Sequence, residues 1–291
     1  MSTIAAHFVM IALISGGAVR PGPQATKLTT QPNVLIDEVM KVSGLDRIVE
    51  QIPMALAAHF ASGNQAAQGD PEFVDLTQRV FQRAYAAETI LHSITSYLAR
   101  HYDQARLHAV IDLHKNDLAR RFTEMEVEAS GPAAVVGLQN FVAELGQTLI
   151  PPERVLAVRK LDEFSGASQL QAEIQYAINF SFSHAVRSIL PPESQVSLEE
   201  LDQRLSAMRE QLAMELGQQT MIAMLFTYRD ASLEELGAYL ELLETDVGAW
   251  WIKVTSAAIK ESLAQAGDNA AEDFIREVER LRLRALEGTG P

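Results

Sequence analysis

Apolar residues recur along most of this chain at spacings of three and four positions, the period of an amphipathic α-helix. Strand patterns are weak, because no segment sustains an alternation of apolar and polar residues and no Asn-Gly or Asp-Gly pair joins two apolar runs. Proline pairs at 151–152 and 191–192 interrupt the helical pattern and mark connections. The pattern predicts an all-α protein, a bundle of antiparallel helices joined by short loops.

Several helix starts carry capping residues. Asp70 followed by Pro71 is typical of a helix N-terminus and predicts a long helix over 71–101. Ser197 and Ser232 each lie three residues before a glutamate, the spacing of a capping box, in which the two side chains satisfy each other's free backbone amides. We therefore expect helices over about 197–229 and from residue 232.

The order of these helices occurs twice along the chain. A helical segment starts at residue 39 and ends near residue 60, and another starts at residue 161 and runs through residue 182. Each is followed by a long helix and then by a short helix, which Asp103 caps in the first copy and Ser232 in the second. We interpret the chain as two repeated helical units, residues 34–147 and 152–287.

A further helix follows the short one in each unit, starting at Asp117 and at Asp246. Its apolar residues fall on one helical face, because they are three and four positions apart. These residues are Leu118, Phe122 and Met125 in the first unit and Val247, Trp251 and Val254 in the second.

The segments 228–236 and 242–250 resemble the bacterial family known as domain of unknown function 2059. The small residue Gly248 lies where the motif of that family usually has glycine, and the counterpart 111–120 has Ala119 there. Both copies lack the Phe-Tyr pair that the family tends to have before the turn. The resemblance implies an exported, all-helical protein and brings no catalytic or binding residue with it.

The N-terminus has the pattern of a secretory signal. Residues 4–19 form one apolar run that ends in Arg-Pro-Gly-Pro, too short to span a bilayer comfortably. Cleavage after Ala18 or Ala25 would remove a signal peptide of up to 25 residues and leave a protein in the bacterial periplasm, without stable membrane insertion. No Lys or Arg precedes the run, so an amphipathic helix of a cytosolic protein and a misplaced start codon remain open.

Composition narrows the classes of function. The 291 residues are 47% hydrophobic, with 38 acidic against 24 basic side chains and a net charge of −14. This charge argues against nucleic acid as a partner, because such binding depends on Lys and Arg that neutralise phosphates. The absence of cysteine excludes thiol nucleophiles, disulfides and Cys-ligated metals. Nucleotide-binding glycine motifs and a Gly-x-Ser-x-Gly nucleophile motif are also absent.

Histidines and acidic pairs are the remaining candidates for chemistry. His108 and Asp112, four positions apart, could share a metal, with His101 or His114 as a third ligand. We expect these histidines to face solvent or bond locally, because their spacings do not place them on one face. The acidic pairs are Glu199–Glu200, Glu234–Glu235 and Glu241 with Glu244. Pairs in a first helical turn are better explained by the positive end of a helix dipole than by catalysis. We therefore assign no catalytic, cofactor-binding or metal-binding residue and expect no cofactor.

Three further features suggest core packing or a binding surface. Trp250 and Trp251 flank the apolar face of the helix that starts at Asp246, so both are predicted to pack in the core. The alternative is that one indole lines a groove. Methionines on one long helix are predicted to fill the core; they are Met208, Met214, Met221 and Met224. Residues 268–287 predict a terminal helix, with Glu272–Arg276 and Glu277–Arg280 pairs, that packs on the bundle or pairs with a second copy.

The sequence favours a non-enzymatic periplasmic protein that binds an unidentified protein partner or an apolar ligand in a groove between helices. Two alternatives remain open. One is an envelope hydrolase that uses carboxylates or His108 with a recruited metal, and the other is a homodimer formed through the C-terminal helix.

Overall fold

The structure is a computed structural model that describes residues 32–54, 71–145, 149–189 and 195–287. These residues form α-helices and contain no β-strand, which confirms the predicted all-α bundle. In chain order the helices are α1 (Pro32–Val42), α2 (Leu45–Val49), α3 (Pro71–Ala84), α4 (Ala87–Arg100), α5 (Gln104–His114), α6 (Asp117–Ser130), α7 (Pro132–Leu145), α8 (Pro152–Ser165), α9 (Ala167–Ile189), α10 (Leu198–Thr227), α11 (Leu233–Leu243) and α12 (Asp246–Glu287).

Three of the predicted caps are formed, whereas the fourth, at Asp70, lies outside the described residues. Asp103 at the start of α5 and Ser197 at the start of α10 each accept a hydrogen bond from the backbone amide three residues on, at 3.0 Å in both cases. At the start of α11 the capping box is complete. Ser232 Oγ accepts from the amide of Glu235 at 3.1 Å, and the Glu235 carboxylate accepts from the amide of Ser232 at 2.7 Å.

Two glycines end helices that the pattern predicted to be continuous. The segments predicted over 39–60 and 161–182 are interrupted at Gly44 and Gly166, where φ is +70° and +67°. Glycine adopts this left-handed conformation without the steric cost that a side chain brings, so the chain can change direction there. The prediction of continuous helices was wrong at both sites, and residues 55–60 lie outside the described residues.

The long helix predicted over 71–101 is also divided. α3 ends at Ala84, and Ala86 has a ψ of 137°, outside the helical range. Between them Tyr85 is fully buried, with its ring parallel to that of Phe81 at 5.8 Å. Both α3 and α4 lie against α12.

The last helix is longer than predicted. Residues 268–287 are the final part of α12, and they do not form a separate helix. Phe274 is buried, and Val278 and Leu281 pack against the same core. The apolar face that a second copy would use is therefore already covered by this chain. Arg280 pairs with Glu277 at 3.0 Å as predicted, whereas Arg276 contacts Asp273.

Helices cross between the two parts of the chain, residues 32–145 (the first half) and residues 149–287 (the second half). α6 of the first half packs on α10 and α11 of the second half. Conversely, α12 of the second half packs on α3, α4 and α5 of the first half. The short helices that precede them, α5 and α11, have 11 residues each and contact α1 and α8 respectively.

Two main cores result from this crossing. The larger contains buried residues of α1 to α5 together with residues of α9 and α12, among them Trp251 and Phe274. The second joins Phe122 of α6 to α8, α10 and α11. Both cores therefore contain side chains from both halves.

Candidate functional site

An open groove of about 600 Å³ lies where the end of α6, the length of α7 and the end of α10 meet. Its lining combines small side chains with aromatic rings and a few charged groups. The small residues are Ala129, Ala133, Ala134 and Gly137, and the rings are Phe141 and Phe226.

A glycine positions α7 against α10. A Cβ atom at Gly137 would lie 2.9 Å from Cζ of Phe226, closer than such atoms approach each other. Phe141, one turn further on, contacts the same ring, with 5.7 Å between the ring centroids. The absence of a side chain at position 137 thus lets Phe226 lie against the backbone of α7 and form one wall of the groove.

α7 leaves much of its apolar surface uncovered. All of its residues are described, and Leu138 alone among them is buried. Val136 is 61% exposed and Val142 is 39% exposed, while Leu149 just beyond the helix is 97% exposed. A helix with apolar residues on several faces is normally covered on several faces, so this surface suggests an interaction site.

Acidic side chains dominate the charge of the groove. Glu128 on α6, Glu144 on α7 and Asp230 after α10 all line it and are exposed. Arg229 is the one basic side chain in the lining of this groove. Its guanidinium lies 4.2 Å from the centroid of the Phe226 ring and donates to the Phe226 carbonyl at 2.8 Å.

A buried carboxyl group lies in the second core close to this groove. Glu126 of α6 is fully buried, and its Oε1 accepts hydrogen bonds from the hydroxyls of Tyr228 at 2.9 Å and Tyr239 at 2.8 Å. Phe122 stacks on Tyr239 at 3.9 Å between centroids. Burial, and then the neighbouring Glu126, raise the pKa of Tyr228 well above its usual value. Because the cluster is closed to solvent, its role is to join α6, α10 and α11.

The histidines considered as metal ligands do not converge. His114 is buried, and its Nδ1 donates to the Val110 carbonyl at 2.9 Å; burial lowers its pKa. His101 and His108 are exposed, as is Asp112. Within the described residues no three His, Asp or Glu side chains are grouped closely enough to hold a metal ion.

The acidic pairs lie at helix starts or on the surface. Glu199–Glu200 and Glu234–Glu235 occupy the first turns of α10 and α11. A backbone hydrogen bond from Ser232 is the main reason that the pKa of Glu235 is lowered. Glu241 and Glu244 are exposed on and just after α11. The first-turn pairs thus have the capping and dipole environment that the sequence predicted.

The tryptophans take different positions. Trp251 is buried in the larger core, as predicted, whereas Trp250 is half-buried at its edge. The guanidinium of Arg106 lies 5.6 Å from the centroid of the Trp250 ring. Neither indole lines the groove described above.

The methionines confirm the prediction of core filling only in part. Met224 is fully buried and Met221 packs against the second core. Met214 is 67% exposed, so the prediction was wrong for this residue, which lies on the solvent side of α10. The side chain of Met208 lies outside the described residues.

Sequence reasoning missed α7 and Glu126. A signal for each is present in the sequence. Residues 132–145 contain apolar side chains all round the helix, which is unusual for a solvent-facing segment. Glu126 follows Phe122 by four positions and so interrupts the apolar face of α6 with a group that needs partners when buried.

None of the described helices combines the length and the apolar character needed to cross a membrane. Comparisons of the chain with protein-family models, with curated protein sequences and with solved structures found no match.

Proposed function

We propose that this chain is an exported, non-enzymatic binding protein that holds an apolar surface in the groove between α6, α7 and α10. The observation that carries the proposal is the open groove of about 600 Å³, which α7 lines with small side chains and Phe141 and α10 with Phe226. Apolar ligands bind in such a groove mainly because binding buries apolar surface area. A neutral apolar dye should therefore bind in the same groove.

Fluorescence of the neutral dye Nile red tests the groove. Ala133 lies in the lining and is exposed at the second position of α7, so Ala133→Trp fills the groove with little effect on the fold. The matched control is Ala105→Trp, because Ala105 is exposed at the second position of α5. We expect the wild type and the control to bind the dye and Ala133→Trp to lose at least most of the signal. Equal binding by all three proteins would refute the groove as the site.

Export and family membership belong to the same proposal. Support for export comes from the apolar run of residues 4–19, which lies outside the described residues. Support for membership of the family known as domain of unknown function 2059 comes from the segments 228–236 and 242–250 and from the all-helical fold. Expression of the full chain in a bacterium, fractionation and mass spectrometry should give a periplasmic protein cleaved after Ala18 or Ala25. Cytosolic material with an intact N-terminus would contradict export.

We also propose that the chain arose by duplication. Two findings support this: α1 and α8 both end at a left-handed glycine, and α5 and α11 have equal lengths and capped starts. The helices that follow α5 and α11 each cross to the other half.

A further inference from the structure

We infer that the occupant of this groove is a cationic amphipathic helix of a partner protein, with its apolar face against α7 and its basic side chains at the acidic rim. The inference rests on the proposed function of the groove and names the class of its ligand.

The shape of the groove fits a helix. The lining runs along α7 from Ala133 to Glu144, a length of about 16 Å or three helical turns. The small side chains of Ala133, which is exposed, and Ala134, which is half-buried, leave room for another helix axis to approach to about 8–10 Å. An amphipathic helix lying in an apolar groove is a common mode of peptide recognition.

The charge of the groove selects the sign of the partner. Glu128 and Glu144 lie on opposite helices of the lining, and Asp230 lies at the end of α10. Arg229 is already engaged by the Phe226 ring and lies 3.5 Å from Asp230. The surplus of carboxylates favours Lys or Arg on the occupant and disfavours a fatty acid or an anionic lipid.

The charge of the whole chain acts in the same direction. With a net charge of −14, the protein attracts basic partners over a distance set by ionic strength. Added salt should therefore weaken binding of a basic helix, whereas binding driven by apolar burial alone should not weaken.

Two synthetic peptides test the inference with the full chain. Each has about 18 residues, with Leu at spacings of three and four and either Lys or Glu at every polar position. Fluorescence anisotropy should show that the Lys peptide binds at least about tenfold more tightly than the Glu peptide, and that its affinity falls several-fold between about 50 and 500 mM salt. The Lys peptide should also displace Nile red, whereas oleate should not.

Removal of the rim charges gives the matched variant. Glu128→Gln with Glu144→Gln should weaken the Lys peptide about three- to tenfold and leave Nile red binding unchanged, because exposed ion pairs contribute modestly. Glu241→Gln with Glu244→Gln is the control, since it removes the same net charge from exposed positions outside the groove. This control should bind the Lys peptide as the wild type does.

The possible failures are distinguishable. Equal affinity for the Lys and Glu peptides, both abolished by Ala133→Trp, would overturn the charge selection and leave the groove as a binding site. If Nile red or oleate binds but neither peptide does, the inference of a helical occupant would be overturned in favour of a small apolar ligand. Peptide and dye binding that Ala133→Trp leaves intact would overturn both the inference and the proposed function.

Discussion

The two junctions between the halves, one formed by α6 and the other by α12, contain different kinds of side-chain contact. Where α6 meets the second half, Phe122 stacks on Tyr239 and the Glu126 carboxyl accepts hydrogen bonds from Tyr228 and Tyr239. Where α12 meets the first half, the proposed duplication places Trp251 at the position that corresponds to Phe122. The first junction therefore contains directional hydrogen bonds among three elements, whereas at the second Trp251 is one of many apolar side chains that pack together.

The position corresponding to Glu126 shows the consequence. Thr255 is buried there, and its hydroxyl donates to the Trp251 carbonyl of its own helix at 2.7 Å. It places no demand on the other half, whereas Glu126 must be matched by two hydroxyls. The comparison teaches that a junction between the halves can be polar or apolar, as long as each buried polar group has a partner.

The contacts at the solvent-exposed edges of the two junctions can be compared as well. Arg121 of α6 contacts Glu235 of α11 and donates to the Asp230 carbonyl at 2.8 Å. At the positions corresponding to Arg121 and Glu235, the second junction has Trp250 and Arg106, which form a cation–π contact. Arg106 also lies 3.4 Å from Asp246, so both edges contain an ion pair between the halves and the second edge adds a cation–π contact.

The largest expected effect is at the buried carboxyl. Glu126→Ala removes the carboxylate that accepts hydrogen bonds from two buried hydroxyls, so the free energy of unfolding should fall by about 3 kcal/mol. Thr255→Val at the corresponding position breaks a bond within one helix and should cost about 1 kcal/mol or less. Urea denaturation of both variants measures the difference. Equal losses would mean that the two junctions do not differ in the way described.

The two left-handed glycines give the next test. Gly44→Ala and Gly166→Ala both place a side chain at positive φ, which costs about 1–2 kcal/mol. At Gly44 the new Cβ would also lie 2.8 Å from Val127 and 2.9 Å from Thr123, whereas at Gly166 nothing lies within 4 Å. Overpacking should therefore add about 1–3 kcal/mol to Gly44→Ala alone. Thermal unfolding of the two variants should show this difference in stability. Equal losses of stability would mean that the segment around Gly44 lies further from α6 than the structure indicates.

The pH dependence of stability tests a difference between α5 and α11, because α5 contains a buried histidine and α11 does not. His114 is buried at a position where α11 has Leu243, and burial lowers the pKa of the histidine below 6.5. Well above pH 6.5 neither the folded nor the unfolded chain binds a proton at this ring to an appreciable extent. As the pH falls below 6.5 the unfolded chain takes up a proton that the folded chain does not, so the free energy of unfolding decreases toward the folded pKa.

The variant His114→Leu should remove this contribution. Its free energy of unfolding, measured in urea from about pH 7 to pH 5, should fall less steeply than that of the wild type. If the dependence of the free energy of unfolding on pH is the same in the variant and the wild type, groups other than His114 cause the loss of stability in acid.

The smallest effect is expected at the edge of the second junction. Arg106→Gln removes the cation over the Trp250 ring and its ion pair with Asp246, and should cost about 0.5–1 kcal/mol, because both contacts are partly exposed. The emission of Trp250 should shift at the same time. Arg106→Lys, which keeps the charge, serves as the comparison.

Much of the fold follows from local sequence. The caps at Asp103, Ser197 and Ser232 were predictable, because a cap is formed by side chains within three residues of the helix start. The burial of Phe122 and Trp251 was also predictable, because both occupy the apolar face of their helices. These features depend on contacts that are close in sequence or on periodicity alone.

The remainder depends on contacts between distant residues. The break after Ala84 accompanies the burial of Tyr85, and nothing near residue 85 in the sequence indicates which helices it will meet. The groove requires Gly137 and Phe226 to come together, although they lie in different halves. For this reason local patterns supplied the helices but not the candidate site.

The reciprocal crossing of α6 and α12 has a consequence for how the protein loses its structure. Each half completes the hydrophobic interior of the other, so neither can melt while its counterpart stays intact. We therefore expect one cooperative transition for the described chain in place of two separate ones. A nick in the link between α7 and α8 should leave two fragments that remain bound and elute together under native conditions.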